Sequence, residues 1–531
     1  MPSKDLFFSF SFTGGFASDL GALVNPPIVR SGGGGSVEMP HLLTADNVYY
    51  RLNGAVVKTG GTAKYNTTVI ASGEEIRGMF EYIKAGTGGS ATRKRVAHAG
   101  TVIVKDDNDA SFANLFTGLE DGAIPNYNVF EDVLIIASDS TSDAPKSWDQ
   151  TTAQNLAGSP PNFAFSVTHS LRVWAAGDAS NPSRLYYSST QNHEEWNGTG
   201  TSGTIDISPN DGDIITGIIP YRGDLIVFKG PYRGSITRVV GDPADTDFNT
   251  SPRTTIRGIG AIWQNSIFEF GNDIGFIATD GSIRSFTTTD RFGDYEQLAL
   301  SDPISSWIRD NVTISALRTA WAATDHLRGY SLICLPTSSA TTPNHILMMD
   351  FRFRPVRWSN WPAFDGYSLA RMSDPDDSDL PILYFGGSDG FIRKANQNAF
   401  AIDDVTAISE TVKTAAISYN TPNKSKTHAR LGLGVRAAGT VSCTITTTDE
   451  NSNQNSITIS GIQGGTALGS FELDTDTLGG EIHKTYWADA TALGSFRETS
   501  YQFQNTGLNQ GLEITEFYTV LEGSGDDTYE N

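Results

Sequence analysis

Short apolar runs separated by polar, glycine-containing turns form the main pattern along the chain. Two of these units are nearly identical: GFIATDGSIRSF, residues 275–286, and LYFGGSDGFIRKA, residues 383–395. Each has an apolar run, a turn that ends in Asp-Gly, and a return segment that begins with Ile-Arg. Because glycine adopts the positive φ that tight hairpin turns require, both stretches predict β-hairpins.

Further hairpins of this kind follow one another between residues 40 and 402. The turns are predicted near Asn108, Ser142, Asn181, Arg233, Asp280, Phe353 and Asp389. Gly-Ser-Ile at residues 234–236 recurs at 281–283, a spacing close to the length of one four-stranded propeller blade. We therefore expect an all-β protein in which residues 40–402 form a β-propeller of about seven blades. Closing the ring would cover each blade with two neighbours and leave only short edges.

Two features modify this pattern. The segment SDPISSWIRDN, residues 301–311, predicts a short helix inserted in a blade, with Asp302 as a cap and Pro303 in the first turn. Ile304, Trp307 and Ile308 would share one face of that helix. Three tryptophans that follow hairpins fit either as wedges between blades or as ordinary core residues: Trp148, Trp196 and Trp358.

The two ends of the chain differ from the hairpin region. Residues 403–531 contain clear polar–apolar alternation at 440–449 and 455–461 and a final strand at 512–522, which predicts a C-terminal antiparallel β-sandwich with a short disordered tail. Residues 1–39 are expected to form an N-terminal arm with a Gly-rich flexible joint from Arg30. The arm would lie against a neighbouring chain or pair as a strand with its own chain, since four phenylalanines need cover: Phe7, Phe8, Phe10 and Phe12.

Length, charge and cysteine content narrow the class of protein. A chain of 531 residues exceeds one compact core, so several domains are expected. The start lacks an apolar leader and no apolar run reaches membrane-spanning length, so we expect neither Sec export nor a membrane segment. Cys334 and Cys443 are expected to be buried thiols in strands. The net charge of −22 disfavours nonspecific nucleic-acid binding. The acidic charge either keeps the protein soluble or forms a surface past which DNA slides without sticking.

Local motifs for cofactors, metals or catalysis are weak. The Gly-rich, basic segment 86–95 lacks the residue order of a phosphate loop, and GLGVRA at 432–437 has no following helix.

The acidic loops 105–111 and 373–381 lack the glycine and glutamate of an EF-hand. A loose calcium site remains an alternative at Asp374, Asp376, Asp377 and Asp379. HEEW at His193 lacks the second histidine of a zinc helix. We therefore assign no catalytic, cofactor-binding or metal residue and expect no cofactor.

Basic residues occur in three clusters that are expected to be salt-bridging contact points for a partner or a neighbouring subunit. These clusters are Arg93, Lys94 and Arg95; Arg352, Arg354 and Arg357; and Lys424, Lys426 and Arg430. On a strongly acidic background they fit protein contacts better than DNA recognition.

Two longer segments resemble those of a known family. LLTADNVYYRLNGAVVKTGGTAKYN, residues 42–66, and DFRFRPVRWSNWP, residues 350–362, resemble tail hub or nozzle proteins of short-tailed bacteriophages, which include the packaged-DNA stabilisation proteins. The resemblance implies a structural virion protein, not an enzyme, that forms a homohexameric ring below the portal and adaptor. Such a ring retains the packaged DNA, conducts it through its lumen during ejection, contacts tail fibres, spike or needle, and is assembled in the host cytoplasm.

Two other functions are compatible with the same sequence pattern. A carbohydrate-binding or glycoside-hydrolysing propeller would place two or three carboxylates and stacking aromatic residues in a pocket at the propeller axis. A monomeric scaffold would have the mass of a single chain in solution.

Overall fold

The computed structural model describes residues 6–20, 23–24, 28–31, 34–39, 41–86, 90–196, 198, 200–246, 248, 250, 252, 254–292, 299–377, 379–396, 399–463 and 483–523. Strands account for 53% of the protein and helices for 6%, which confirms the expected all-β fold. The chain forms two compact units. Unit 1 contains residues 1–63, 347–364 and 395–531, and unit 2 contains residues 64–346 and 365–394.

Unit 2 has a six-blade β-propeller arrangement in which each blade is an antiparallel meander. Blade 1 contains Ile76–Ala85, Ala91–Ala99, Val102–Asp106 and Phe112–Thr117; blade 2 contains Pro125–Phe130, Val133–Ser138, Lys146–Trp148 and Ala153–Asn155. Blade 3 contains Phe165–His169, Arg172–Ala176, Arg184–Tyr187 and Gly203–Asp206; blade 4 contains Ile214–Tyr221, Asp224–Gly230, Ser235–Val239 and Thr254–Arg257. Blade 5 contains Ile267–Phe270, Asp273–Ile277 and Ile283–Ser285; blade 6 contains Ser368–Asp374, Leu380–Gly386 and Ile392–Asn396.

The apolar runs of the inner strands are explained by burial on both faces. Along Val133–Ser138, Leu134 and Ile136 pack in a cluster with blade 1, whereas Ile135 and Ala137 pack in a cluster with blade 3. Because side chains alternate across a strand, a strand between two blades needs apolar residues at every position. This is why these strands read as continuous apolar runs in the sequence.

The ring of blades closes between its last and first members. Met372 of blade 6 shares a buried cluster with Met79 and Ala97 of blade 1. Between blades 5 and 6 lies the hairpin formed by Trp321–Asp325 and Tyr330–Leu335, whose first strand contacts both blades. The prediction of about seven blades is not confirmed.

All seven predicted turns connect consecutive strands. In the two near-identical hairpins, Gly281 and Gly390 have the expected positive φ, 83° and 73°. The preceding aspartate in each turn forms an ion pair with the arginine four residues later: Asp280 with Arg284 at 3.3 Å and Asp389 with Arg393 at 2.7 Å. The repeated sequence therefore forms the same turn twice, and in each copy the arginine is paired with the aspartate of the turn.

The expected helix is confirmed. Asp302–Ile304 is a 3-10 turn that continues into the α-helix Ser305–Asn311, with Pro303 in the first turn and Ile304 buried. Asp302 is the first residue of the helical turn, and the cap position is held by Ser301. Other helical segments are the α-helix Phe286–Phe292 and 3-10 turns at Ala71–Gly73, Gln264–Ser266, Ile314–Thr319 and Thr491–Leu493. None of the helices in the described residues is long and apolar enough to cross a membrane.

Unit 1 is built from two sheets that contain strands from both ends of the chain. The first sheet has the order Ile28–Ser31, Gly34–Met39, Leu6–Phe12, Gly511–Gly523, Lys426–Ala438 and Lys484–Asp489, with Val48–Tyr50, Val56–Lys58 and Ser495–Phe496 attached. The second sheet includes Leu23–Val24, Ala416–Ile417, Thr499–Asn505, Glu410–Thr414, Leu42–Asp46, His345–Asp350 and Arg357–Trp361, with Thr440–Asp449 and Gln454–Gln463 attached. Gly61–Lys64, Ala401–Ile402 and Thr406–Ala407 are further short strands.

Aromatic side chains join the two sheets of unit 1. The ring of Phe517 in the first sheet lies 4.7 Å from that of Tyr501 and 4.9 Å from that of Phe503 in the second. Phe10 from the N-terminal strand contacts Phe517 at 5.4 Å between ring centroids. These rings explain why the unit needs both chain ends to form its core.

The structure places residues 1–39 differently from the predicted arm. Leu6–Phe12 pairs with Gly34–Met39 on one side and with Gly511–Gly523 on the other. Phe8, Phe10 and Phe12 are buried within the chain, which is the second of the two alternatives stated above. Gly34 and Gly35 belong to a strand that pairs with Ile28–Ser31 and are not part of a joint, whereas residues 32–33 of the predicted joint lie outside the described residues.

The predicted boundaries of the other domains also differ from the two units. A sandwich made by residues 403–531 alone is not confirmed, because both sheets of unit 1 use strands that lie before residue 64. The predicted propeller region, residues 40–402, does not form one unit. Its first residues and residues 347–364 belong to unit 1. Pairing between strands hundreds of residues apart leaves no local pattern, which is why sequence reasoning missed it. The predicted disordered tail lies mostly outside the described residues.

Two of the three tryptophans lie between blades. Trp148 is buried between blades 1 and 2, and Trp196 is buried between blades 2 and 3. Trp358 is buried in unit 1 and so is not a wedge in the propeller. Cys334 and Cys443 are buried free thiols in strands, as expected.

Candidate functional site

One cavity of the propeller lies where the first strands of blades 1, 2, 5 and 6 and the hairpin strand Trp321–Asp325 meet. It has a volume of about 550 Å³. We call it the axial cavity, and it is lined by Met79, Phe80, Glu81, Ile83, Asn126, Tyr127, Asn265, Phe268, Glu269, Trp321, Ala322, Ala323, Thr324, His326, Leu369, Ala370 and Arg371. A cavity of this size accepts a small ligand.

Close packing near this cavity holds the inner strands together. The side-chain amide of Asn265 donates a hydrogen bond to the carbonyl oxygen of Pro125 at 3.1 Å. A Cβ on Gly78 would lie 2.4 Å from Pro125 and 3.2 Å from the Trp321 ring, so only glycine fits at this position without displacing a neighbour. Blades 1 and 2 and the hairpin therefore converge on this point.

Aromatic rings form one wall of the axial cavity. Phe80 and Tyr127 stack with ring centroids 5.6 Å apart and ring planes 13° apart. The Tyr127 hydroxyl is buried and has no hydrogen-bond partner among the described residues. Burial raises the pKa of this hydroxyl well above its usual value, so it stays a neutral donor and acceptor. It is a polar group that a ligand with a hydroxyl or carbonyl could satisfy.

The cavity contains two carboxylates in different environments. Glu81 accepts a hydrogen bond from the Ser373 amide at 3.1 Å and another from the Ser373 hydroxyl. The guanidinium of Arg95 lies 3.8 Å from Glu81. Glu269 is exposed. Both oxygens of Glu81 therefore accept hydrogen bonds from Ser373, whereas Glu269 has no such partner among the described residues.

Three of the four predicted calcium residues are paired with cations of the same unit, and the fourth, Asp377, is exposed. Lys394 lies 3.1 Å from Asp374 and 2.5 Å from Asp376, and Arg93 lies 3.4 Å from Asp379. No group of three or more potential metal ligands occurs in the described part of the chain. The structure therefore explains this acidic loop through ion pairs.

The first basic cluster also binds acidic residues of unit 2. Arg95 is buried, lies 3.5 Å from Asp106 and donates to the hydroxyl of Tyr65 at 2.7 Å. Lys94 pairs with Asp107 at 2.9 Å. The acidic segment 105–111 thus supplies counter-charges for Lys94 and Arg95, whereas Arg93 pairs with Asp379; residues 87–89 of the basic segment lie outside the described residues.

The other two basic clusters are also engaged within unit 1. Arg352 pairs with Asp350 at 2.6 Å, and Arg357 donates to the carbonyl oxygen of Thr13. The Lys426 ammonium donates to three backbone carbonyl oxygens. Arg430 is exposed. These contacts within the chain replace most of the partner contacts expected for the clusters.

The GLGVRA segment lies inside the strand Lys426–Ala438. A Cβ on Gly432 would lie 2.8 Å from the Trp487 ring, so this glycine makes room for an aromatic side chain and not for a phosphate. The His193 ring lies 4.0 Å from the Glu194 carboxylate and 6.0 Å from the Phe130 ring, to which it is tilted by 58°. Neither segment supplies a ligand site of the kind its motif suggested.

Sequence reasoning missed the axial cavity because its residues come from five separate segments of the chain. Their one shared signal is position: most lie on the first strand of a meander, which faces the axis of a propeller. These cavity residues can therefore be recognised in the sequence only when the blade boundaries are known.

Comparisons with known proteins give fold likeness alone. No family model matches the chain, and no curated protein matches it. Three solved structures are similar at low identity. YCF48 bound to a D1 peptide has a TM-score of 0.36 with 7% identity, over 62% of this chain and 94% of that chain. The designed protein Ika8 has a TM-score of 0.35 with 12% identity, over 73% and 98%. An exo-β-1,3-galactanase from Phanerochaete chrysosporium has a TM-score of 0.28 with 9% identity, over 87% and 100%.

Proposed function

We propose that the chain is a structural tail protein of a short-tailed bacteriophage. In this proposal six copies form a hub or nozzle ring below the portal and adaptor, and the ring retains the packaged DNA and conducts it during ejection. Tail fibres, spike or needle proteins contact the ring, and assembly takes place in the host cytoplasm. The proposal rests on the two sequence segments that resemble this family.

The observation that carries the proposal is that these two segments pack against each other in unit 1. The Trp361 indole donates to the Val48 carbonyl at 2.9 Å, and the Tyr50 hydroxyl donates to the Trp358 carbonyl at 2.6 Å. The backbone amide of Asn47, whose φ is 55°, donates a hydrogen bond to the backbone carbonyl oxygen of Asn360 at 2.6 Å. Residues about 300 positions apart therefore form one structural feature, as expected if the resemblance reflects a shared architecture.

The charge of the chain supports the same role. A net charge of −22 repels DNA phosphates, so a lumen lined by this protein lets DNA slide without binding it. The basic clusters are engaged by acidic residues or carbonyls of their own chain, as with Arg95 and Lys426.

The proposal also covers two features of the fold. The hairpin Trp321–Asp325 and Tyr330–Leu335 acts as a seventh blade, since its first strand lies between blades 5 and 6. The two sheets of unit 1 act as a sandwich that includes both chain ends. Along the chain, the segments of unit 2 are inserted between those of unit 1, and in this proposal unit 1 makes contacts between the copies in the ring.

Light scattering on the purified chain tests the assembly. We expect a molar mass of six times 57.2 kDa, and we expect antibodies against the chain to label the tail of the particle. A stable species of 57.2 kDa, with no label on any virion, would contradict the proposal and favour a monomeric scaffold.

The axial cavity favours a second candidate function, a carbohydrate-binding propeller. Phe80, Tyr127 and Trp321 offer ring faces, and the Tyr127 hydroxyl is without a partner in the described residues. Calorimetric titration with a panel of oligosaccharides separates the two candidates. Binding that is lost in Tyr127→Phe, by a chain that remains monomeric, would favour this second function over the tail protein.

A further inference from the structure

A group of exposed aromatic side chains lies on the outer face of the first sheet of unit 1. Trp487 is 45% exposed and Phe7 is 41% exposed, although both belong to strands of a folded sheet. The half-buried Tyr518 completes a triangle of rings, with centroids 5.8 Å from Trp487 and 5.5 Å from Phe7, while Phe7 and Trp487 are 6.3 Å apart. We call these three side chains the aromatic platform. Their large apolar surface is left in water, which is costly unless it has a use.

The strand register shows how the platform is built. Trp487 is directly opposite Gly432, Gly432 is opposite Tyr518, and Tyr518 is opposite Ser9. These four residues form one row across four strands, and Phe7 lies in the next row on the same face. Small residues thus alternate with large rings, so that each ring can lie over its neighbour.

The Trp487 ring lies flat on the sheet. Three consecutive atoms of its six-membered ring are 2.8, 2.9 and 2.9 Å from the position that a Cβ on Gly432 would occupy. Equal distances to three ring atoms mean that this position lies under the ring face and not beside its edge. The opposite face of the ring is therefore turned away from the sheet, and the Tyr518 ring is inclined to it by only 29°.

Polar side chains border the platform on both sides. In the row that contains Phe7, Arg430 is opposite Asp489, and both are exposed. In the row on the other side, Thr485 and Glu516 are each opposite Gly434. The face therefore has an aromatic centre and a border of hydroxyl, carboxylate and guanidinium groups that can exchange hydrogen bonds.

We propose that the aromatic platform binds a carbohydrate, with a pyranose ring stacked on Trp487. A pyranose has an apolar C–H face and hydroxyl groups around its edge, which matches an aromatic centre with a polar border. A nucleic-acid base could also stack on Trp487, but Asp489, Glu516 and the net charge of −22 repel its phosphates. A protein partner needs an apolar core much wider than three rings bordered by charges.

This inference does not depend on the proposed tail function. A tail protein with such a platform would attach to glycans, and a carbohydrate-binding propeller would gain a second contact. The site is separate from the axial cavity in sequence and belongs to unit 1 alone. It also accounts for the glycine pair of the GLGVRA segment, which no phosphate site explains.

Affinity electrophoresis in native gels tests the inference with the full chain. The probes are soluble β-glucan, galactan, mannan and glycol chitin, each cast in the gel. We expect at least one polysaccharide to retard the chain, and we expect Trp487→Ala to weaken that binding about tenfold or more, as for loss of a stacking contact. Trp487→Phe should keep part of the retardation because it keeps a ring. Tyr232→Ala, which removes an 83% exposed ring from unit 2, is the matched control and should bind as the unchanged chain does.

Three outcomes would overturn the inference. The first is that none of the four polysaccharides retards the chain. The second is equal retardation of the unchanged chain and the Trp487→Ala variant when circular dichroism shows both folded. The third is that Trp487→Ala abolishes self-association in the absence of sugar, which would assign the platform to contacts between copies. The first two readouts do not involve assembly, and the third would show that copies do associate, so failure here is distinct from failure of the proposed tail function.

Discussion

A buried histidine makes the propeller sensitive to acid. His98 lies on the strand Ala91–Ala99 of blade 1 and is 1% exposed. Its ring nitrogens are buried, and burial affects the pKa of His98 more than the opposing contact with the backbone of Gly100 does. Burial, with a smaller effect from Arg77, lowers the pKa of His98 from 6.5 to about 4. The imidazole is therefore neutral in the folded state at pH 5, where it would be protonated in the unfolded chain.

The sign and size of the effect follow from this lowered pKa. The unfolded state binds the proton first as the pH falls, so stability is complete above about pH 6.5 and declines toward pH 4. From a pKa of 6.5 in the unfolded chain and about 4 in the folded chain, the loss between pH 7.5 and pH 5 is about 2 kcal/mol. That is a large part of the stability of an ordinary domain.

Hydrogen exchange of the amides in Ala91–Ala99 at the two pH values measures this loss. The His98→Leu variant removes the titrating group and should lose about 2 kcal/mol less than the unchanged chain between pH 7.5 and pH 5. His326→Leu, at an exposed histidine in the same unit, is the control and should leave the pH dependence as it is. An equal loss in the unchanged chain and in His98→Leu would refute the reasoning.

Three further predictions concern packing and turns. Gly78→Ala puts a methyl group 2.4 Å from Pro125 and should cost about 1–3 kcal/mol, measured by urea unfolding; an unchanged midpoint would show that the inner strands are loose. Asp213→Ala removes the carboxylate that accepts the backbone amides of residues 232–234 at 2.8–3.2 Å, and should lower the thermal midpoint by several degrees, with a shift below one degree contradicting the role of this turn. Deleting residues 1–12 removes a strand from the middle of a sheet and should yield misfolded protein by circular dichroism; a well-folded monomer would contradict the observed pairing.

The features that the sequence predicted correctly are local. Asp280-Gly281 and Asp389-Gly390 predicted turns because the positive φ of glycine is a property of the residue itself. The helix at 305–311 follows from Pro303 and the apolar spacing of Ile304 and Ile308, which are again near neighbours. Each of these signals needs only a few consecutive residues.

The features that the sequence did not predict depend on contacts between distant segments. Nothing near Phe10 shows that its strand pairs with Gly511–Gly523, since the polar–apolar alternation fits any partner strand. Trp358 follows a hairpin just as Trp148 does, yet it packs in the other unit. The aromatic platform was hidden for the same reason, because Gly432 and Trp487 are brought together only by strand register.

Electron cryo-microscopy of the native particle that carries this chain tests the central functional claim most directly. We expect six copies in a closed ring at the base of the tail, with unit 2 of each copy folded as a closed propeller and DNA density in the lumen. A particle that holds a single copy, or that holds the chain away from the DNA path, would contradict the proposed function.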